Sequence, residues 1–75
     1  MDTTRGTEPI DITLNGDPRR IEGPATLASL LETLGLDARV VVVELNRRIV
    51  RRPMLGDTPV RSGDSIELVH FVGGG

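Results

Sequence analysis

Apolar and polar residues alternate near the start of the chain, which predicts a strand followed by a tight turn. Ile10, Ile12 and Leu14 alternate with polar residues, and Asn15-Gly16 follows them directly. A period of two is typical of a strand buried on one face, and Asn-Gly is the strongest short signal for a hairpin turn. We expect the return strand from about Arg19 to Glu22.

Four leucines that follow are spaced as one face of a helix, at positions i, i+3, i+4 and i+7. They are Leu27, Leu30, Leu31 and Leu34. Thr26 supplies a side chain that can cap the first turn, and Gly35 is suited to ending the helix. The spacing therefore predicts a short helix with one apolar face.

A valine-rich segment from Arg39 to Leu45 predicts a further strand. Its consecutive β-branched residues suit a pleated strand better than a helix, so we expect an interior strand that is buried on both faces or nearly so. Asn46-Arg47 predicts a turn, and Ile49-Val50 a brief strand. The segment from Pro53 to Pro59 carries turn signals, and we expect it to be irregular.

The last strand is predicted from about Ser65 to Val72, after a turn at Ser62-Gly63-Asp64. Side chains alternate between the two faces of a strand. One face would carry Ile66, Leu68, His70 and Val72, and the other Glu67, Val69 and Phe71.

This order of elements predicts an α+β domain. The helix must cover one face of a mixed sheet, since each apolar face needs another element against it. We therefore expect the β-grasp fold, with a mixed four- to five-stranded sheet packed on one short helix. Residues 10–72 would form this domain, residues 1–9 a flexible N-terminal extension and residues 73–75 a flexible C-terminal tail.

The composition excludes several classes of function. The 75 residues include no cysteine, which excludes disulfides, thiolate metal sites and a cysteine nucleophile. Eleven acidic residues against nine basic ones give a net charge of −2, which argues against nucleic acid as a partner. The longest apolar run, Val40 to Val43, is far too short to cross a membrane, so we expect a cytoplasmic protein without membrane contact.

Side chains that could carry out catalysis are scarce. The chain has one histidine, three serines and no tyrosine, so we expect no catalytic residues of its own and no metal site. His70 is expected to be packed at a strand end. Four arginines form what we call the arginine cluster, either a solvated surface or a patch that docks an acidic partner. They are Arg47, Arg48, Arg51 and Arg52.

Gly73-Gly74-Gly75 follows the last strand directly. Glycine has no side chain to clash and accepts any backbone angle, so such a tail can enter a narrow channel. Fully extended, it reaches roughly 10 Å past the strand. Its terminal carboxylate is ionised and unreactive at neutral pH, so a partner enzyme would have to activate it before a nucleophile could attack.

The chain resembles the ThiS-type sulfur carriers of thiamine thiazole synthesis, within the ubiquitin-like β-grasp superfamily, over nearly its whole length from Ile10 onward. The resemblance rests on five segments in their order and spacing. They are Leu14-Asn15-Gly16, the Thr26 to Leu34 helix, Val43-Glu44-Leu45-Asn46 with Ile49-Val50, Ser62-Gly63-Asp64-Ser65-Ile66-Glu67, and Val72-Gly73-Gly74-Gly75. The sequence departs from the commonest pattern at Arg47-Arg48 and at Arg52, none of which is in the tail.

The resemblance implies that Gly75 is adenylated by a ThiF-type enzyme using ATP and magnesium, and is then converted to a thiocarboxylate by a sulfur donor such as a cysteine desulfurase. A ThiG-type thiazole synthase would accept the sulfur. Val72, Gly73 and Gly74 would thread into the partners' sites, and the carrier itself would bind no cofactor. Val69 and Phe71 are candidates for a docking surface on the exposed face of the sheet, and the alternative is that both belong to the core.

Other functions stay open at the level of sequence. The same chemistry could supply sulfur for molybdopterin or amino-acid synthesis. A ubiquitin-like modifier would instead join the activated Gly75 to a target lysine, and a binding module would have an inert tail.

Overall fold

The computed structural model describes residues 8–70 of the chain, which form seven strands, one α-helix and two short 3-10 segments. The strands are β1 (Glu8–Leu14), β2 (Asp17–Gly23), β3 (Ala25–Thr26), β4 (Val41–Leu45), β5 (Arg48–Val50), β6 (Pro59–Val60) and β7 (Ser65–His70). The helix α1 spans Leu27–Leu34, and the 3-10 segments span Ala38–Val40 and Arg52–Asp57.

Five of the strands form one mixed sheet in the order β2-β1-β7-β4-β5. β1 and β7 are parallel, and the other neighbours are antiparallel. The short strands β3 and β6 form a separate antiparallel pair. A mixed five-stranded sheet packed on one short helix is the β-grasp arrangement, so the fold predicted from the sequence is confirmed.

The core lies between α1 and one face of the sheet. Its buried residues come from the helix, from the three central strands of the sheet, from the 3-10 segment after β5 and from β6. They are Ile10, Ile12, Leu27, Leu30, Leu31, Val41, Val43, Leu55, Val60 and Ile66. The predicted helix ends are also confirmed, because the Thr26 side chain caps the first turn and Gly35 adopts a left-handed φ of 74° after the last.

The hairpin at the start of the sheet is longer than the sequence predicted. β1 begins at Glu8 rather than at Ile10, and β2 spans seven residues, because the register continues to the pair Glu8 and Gly23. Gly23 is buried, and a Cβ atom there would lie 2.5 Å from the Ile10 side chain. A side chain at Gly23 would therefore displace the Ile10 side chain, which is part of the core.

Two predictions around β4 and β5 were wrong. The strand predicted from Arg39 begins only at Val41, because Asp37 accepts a hydrogen bond from the Arg39 backbone N–H at 2.8 Å and starts a 3-10 turn. The segment from Pro53 to Pro59, predicted to be irregular, is largely a 3-10 helix that buries Leu55 in the core. A 3-10 helix has three residues per turn, so a helix of six residues has too few apolar positions on one face to be predicted from their spacing.

The predicted interior position of β4 is confirmed, since it lies between β7 and β5, but its second face is less buried than predicted. Val41 and Val43 are buried against the helix side, but Val42 and Glu44 are only half-buried. They lie on the sheet face opposite α1, which no other element of residues 8–70 covers. We call this the open face, and its main residues are Asp11, Arg20, Val42, Glu44, Ile49, Glu67 and Val69.

Candidate functional site

The strand β7 leads directly into the predicted tail. It lies in the middle of the sheet, between β1 and β4, and its Ile66 side chain has no exposed surface. The strand is described as far as His70, and the predicted site residues Phe71, Val72, Gly73, Gly74 and Gly75 lie outside the described residues. The strand that leads to the tail is therefore an interior strand of the sheet, anchored at its start by the buried Ile66.

Two hairpin turns bond to the backbone of β7 from opposite sides. On the β1 side, the Asn15 side-chain oxygen accepts a hydrogen bond from the Leu68 N–H at 2.7 Å. On the β4 side, the Asn46 side-chain oxygen accepts one from the Ser65 N–H at 2.9 Å. Each asparagine also donates its backbone N–H to a β7 carbonyl, Asn15 to Ile66 and Asn46 to Ser65. β7 is thus held at several points along its length.

The turn before β7 is bonded to the same framework. The Asp64 carboxylate accepts hydrogen bonds from the Arg61 backbone N–H at 2.8 Å and from the Asn46 side-chain amide at 3.1 Å. Gly63 has a φ of 94°, in the region that favours glycine, and its N–H donates to the Asp11 carbonyl at 2.8 Å. The Ser62-Gly63-Asp64 turn predicted from the sequence therefore fixes where β7 starts.

The predicted orientation of the β7 side chains is confirmed where it is described. Ile66 is buried and Leu68 packs against the core, whereas Glu67 and Val69 lie on the open face. Val69 is 49% exposed, so the alternative that it belongs to the core is wrong. Its role in docking stays a prediction, and its predicted companion Phe71 is outside the described residues.

The open face holds further residues that the sequence interpretation missed. Val42 is the cross-strand partner of Val69, and Glu44 lies between Glu67 on one side and Ile49 on the other. Ile49 is 66% exposed, the largest value among the exposed large hydrophobic residues of the described chain. The signal was the position of Glu44 within the valine-rich strand, since one acidic residue there indicates that its face is open to solvent.

At the outer end of the open face, Asp11 and Arg20 form an ion pair across β1 and β2, with 2.8 Å between the Asp11 carboxylate and the Arg20 Nε. Hydrogen bonding to Arg20 lowers the pKa of Asp11 and raises the pKa of Arg20. This pair therefore neutralises its own charges, and Glu44 and Glu67 carry the charge at the centre of that face.

His70 lies at the end of β7 as predicted, but it is exposed rather than packed. Within residues 8–70, no group of three or more acidic, histidine or cysteine side chains is placed to hold a metal ion. The same part of the chain contains no helix that is both long enough and apolar enough to span a bilayer.

The arginine cluster lies at the β4–β5 turn and after β5, and all four side chains are exposed. Within the described part of the chain the ion pairs are Asp11 with Arg20 and Asp37 with Arg39, so neither involves the cluster. Hydrogen bonds from the Arg39 side chain and backbone lower the pKa of Asp37 to about 2, with a smaller contribution from Arg52. Both interpretations of the cluster stay open.

A model of the ThiS family matches residues 12–75, which include the whole sheet beyond the first residues of β1 and the three final glycines. The chain belongs to the ThiS family. This confirms the resemblance drawn from the sequence.

Several ThiS-family proteins are similar to the chain over most of their own length. The sulfur carrier protein ThiS of Thermus thermophilus is 40% identical over 62 residues, which cover 83% of this chain and 95% of that protein. The crystal structure of a thiamine biosynthesis protein (ThiS) from Geobacter metallireducens superposes with a TM-score of 0.76 at 35% identity, covering 88% of this chain and all of that one.

The chain is also similar to a segment of larger proteins. A thiazole synthase of Magnetococcus marinus is 44% identical over 64 residues, which are 85% of this chain. This chain spans only 20% of the length of that protein and 20% of a second thiazole synthase, from Paramagnetospirillum magneticum.

Proposed function

We propose that the chain is a sulfur carrier protein of thiamine biosynthesis, which acts as a substrate of partner enzymes and carries sulfur on Gly75. The observation that carries the proposal is the family match, because it extends from β1 through Gly75 and so joins the β-grasp domain to the glycine tail in one family pattern. Relatives of nearly the same length that are named sulfur carrier proteins support it.

The proposed activation begins when the Gly75 carboxylate attacks the α-phosphate of ATP. Pyrophosphate leaves, and an acyl adenylate forms on a ThiF-type enzyme that holds ATP and magnesium. Sulfide then attacks the acyl carbon, the bond to AMP breaks, and a thiocarboxylate remains. With a persulfide donor, such as one charged by a cysteine desulfurase, an acyl disulfide forms first and a thiol then reduces it. The adenylate supplies the leaving group that the free carboxylate lacks.

The geometry of β7 supports the role of the domain as a support for the tail. Glycines lose much conformational entropy when they are ordered, so a partner that binds them gains from a base that is already fixed. The hydrogen bonds from Asn15 and Asn46 and the buried Ile66 hold that base. Val72, Gly73 and Gly74 would then enter the partner's channel and place Gly75 at its active site.

Thiazole synthase is the proposed acceptor of the sulfur. Two proteins named thiazole synthase contain a segment similar to this chain, so that a carrier-like segment and a synthase are joined covalently in those proteins. A separate carrier needs a docking surface in place of a covalent link. We assign this role to the open face around Val69; Phe71, the other candidate from the sequence, lies outside the described residues.

The proposal is tested by incubating the chain with a ThiF-type enzyme, ATP, magnesium and sulfide, and by alkylating the product before mass spectrometry. Alkylation is needed because replacing oxygen by sulfur changes the mass almost as methionine oxidation does, and the chain has two methionines. We expect an alkylated thiocarboxylate on the C-terminal peptide, dependent on ATP. Controls without ATP and with a variant lacking Gly75 should show none at that residue.

The other outcomes are informative. An adenylate that never gains sulfur but forms adducts with lysine would indicate a protein modifier. No reaction with several activating enzymes would contradict the carrier proposal and favour a binding module.

A further inference from the structure

One edge of β7 has no strand beside it over its second half. On the β4 side, pairing continues from Ile66 to His70. On the β1 side, pairing stops at Ser65 and Ile66, because β1 ends at Leu14 and the chain turns away into β2. Within residues 8–70, the β1 side of β7 is therefore open from Glu67 to His70.

The hydrogen bonds show which backbone groups point to this open side. The carbonyls of Asp64 and Ile66 accept hydrogen bonds from the Thr13 and Asn15 N–H groups. The backbone N–H and C=O groups of the even-numbered residues of β7 therefore point towards β1. Backbone groups alternate between the two sides of a strand, so the N–H and C=O groups of Leu68 and His70 also point to the β1 side. The Leu68 N–H is bonded to the Asn15 side chain.

The groups that remain are the Leu68 carbonyl and the N–H and carbonyl of His70, and we call them the β7 edge. Within the described residues, no strand and no side chain forms a hydrogen bond with these groups. Backbone polar groups that are removed from water need hydrogen-bond partners, so any protein that covers this edge has to provide them.

We infer that the β7 edge pairs with an extended backbone segment of the ThiF-type enzyme that receives the tail, so that the sheet continues into that enzyme. This inference rests on the proposed carrier function. The β7 edge leads in sequence directly to residues 71–75, three of which are glycines with no side chain to recognise. A channel that excludes water can bind such a tail only through its N–H and C=O groups, and pairing with a strand satisfies them in order.

A second copy of the chain fits the β7 edge less well. Two copies pairing through this edge would share the four residues from Glu67 to His70, and the chain reaches three glycines only two residues later. Glycines weaken strands because they have no side chain to pack. A preformed strand in an enzyme channel does not have this weakness, because the rest of the enzyme holds it.

The test compares His70→Pro with His70→Ala. Proline lacks the N–H group and is tolerated where that group makes no ladder hydrogen bond, and among residues 8–70 the His70 N–H makes none. The alanine variant loses the same side chain but keeps the N–H. Both variants should unfold at nearly the wild-type temperature, whereas Val69→Pro should lower it, since the Val69 N–H points towards β4.

The decisive measurement is the KM for the carrier in pyrophosphate release by the ThiF-type enzyme with ATP. We expect His70→Pro to raise this KM about five- to tenfold, as the loss of one backbone hydrogen bond does, and His70→Ala to change it less than twofold. In amide exchange followed by NMR, the His70 N–H should exchange rapidly in the free chain and become protected in the complex with that enzyme.

Equal KM values for the two variants, with an unprotected His70 N–H in the complex, would overturn the inference. So would a wild-type dimer in sedimentation that His70→Pro converts to monomers, because the edge would then belong to a second copy. If the wild type is adenylated but never gains sulfur, the carrier function fails while the KM comparison still tests the edge. If the enzyme does not bind the wild type, both proposals are contradicted.

Discussion

The two hairpin turns that hold β7 use left-handed backbone conformations, but with different residues. In the first, Asn15 and Gly16 have φ angles of 51° and 87°. In the second, Asn46 and Arg47 have φ angles of 52° and 73°. Asparagine and glycine favour such angles, whereas arginine has a Cβ atom that crowds the following carbonyl. Arg47 is therefore strained in a position that suits glycine.

Replacing Arg47 by glycine should stabilise the domain. We expect the free energy of unfolding to rise by about 0.5–1 kcal/mol, since the relief of left-handed strain exceeds the added entropy of the unfolded chain. Urea denaturation followed by circular dichroism would measure it. Arg47→Ala is the matched control, because it removes the same charge but keeps the Cβ atom. If alanine stabilises the chain as much as glycine does, charge repulsion in the arginine cluster is the cause and the strain argument is wrong.

At the scale of elements, the sequence predicted the helix and the strands whose formation depends on local residue pattern. The Asn15-Gly16 hairpin and the α1 helix with its Thr26 cap follow from spacing and from residue type, and both are confirmed. The strands β3 and β6 have two residues each, too few for any alternation to show. These two strands form because tertiary packing brings them together. Next to the pair, the Leu27 N–H donates a hydrogen bond to the Thr58 carbonyl at 3.0 Å.

The side-chain hydrogen bonds that hold β7 could not be predicted from local sequence pattern either. Asn15 and Leu68 are 53 residues apart in sequence, and nothing near either residue indicates that they bond. The sequence predicted a tail after a strand for Gly75 and its neighbours, and it left open whether Val69 is exposed or belongs to the core. It could not show that turn side chains fix the base of that tail, because long-range side-chain hydrogen bonds depend on the completed topology.

The substitution Asn15→Gly tests whether the Asn15 side chain holds β7 in place. Glycine keeps the left-handed angle but leaves the Leu68 N–H without its acceptor, so the free energy of unfolding should fall by about 1 kcal/mol. The Leu68 amide should also exchange faster with solvent, which NMR would detect. Asn15→Asp keeps an oxygen in the same place and should retain the protection at Leu68. An unchanged Leu68 exchange rate in Asn15→Gly would show that the side chain does not hold β7.

At the scale of the whole molecule, charge and apolar surface are distributed unevenly. The arginine cluster lies around β5, while the middle of the open face carries Glu44 and Glu67 directly across from each other. Like charges in that position repel, and a partner that brings a basic side chain between them would relieve the repulsion. Val42 and Val69 lie beside this acidic pair. The face therefore suits a partner surface that is apolar with a basic residue at its centre.

Val69→Glu tests whether the open face serves sulfur transfer. The side chain is 49% exposed, so lost packing and repulsion from Glu67 and Glu44 should lower the free energy of unfolding of the free domain by no more than about 1 kcal/mol. If thiazole synthase docks on this face, the added charge would be buried without a partner on docking, and the KM for thiocarboxylated carrier in thiazole formation should rise at least tenfold.

Met54→Glu is the matched control, because Met54 is 51% exposed but lies in the 3-10 helix after β5, away from the open face. It adds the same charge to the same chain and should leave the KM near the wild-type value. Equal effects of the two substitutions would mean that net charge alone governs the encounter. No effect of either would mean that the tail alone binds the synthase, and the open face would then lose its assigned role.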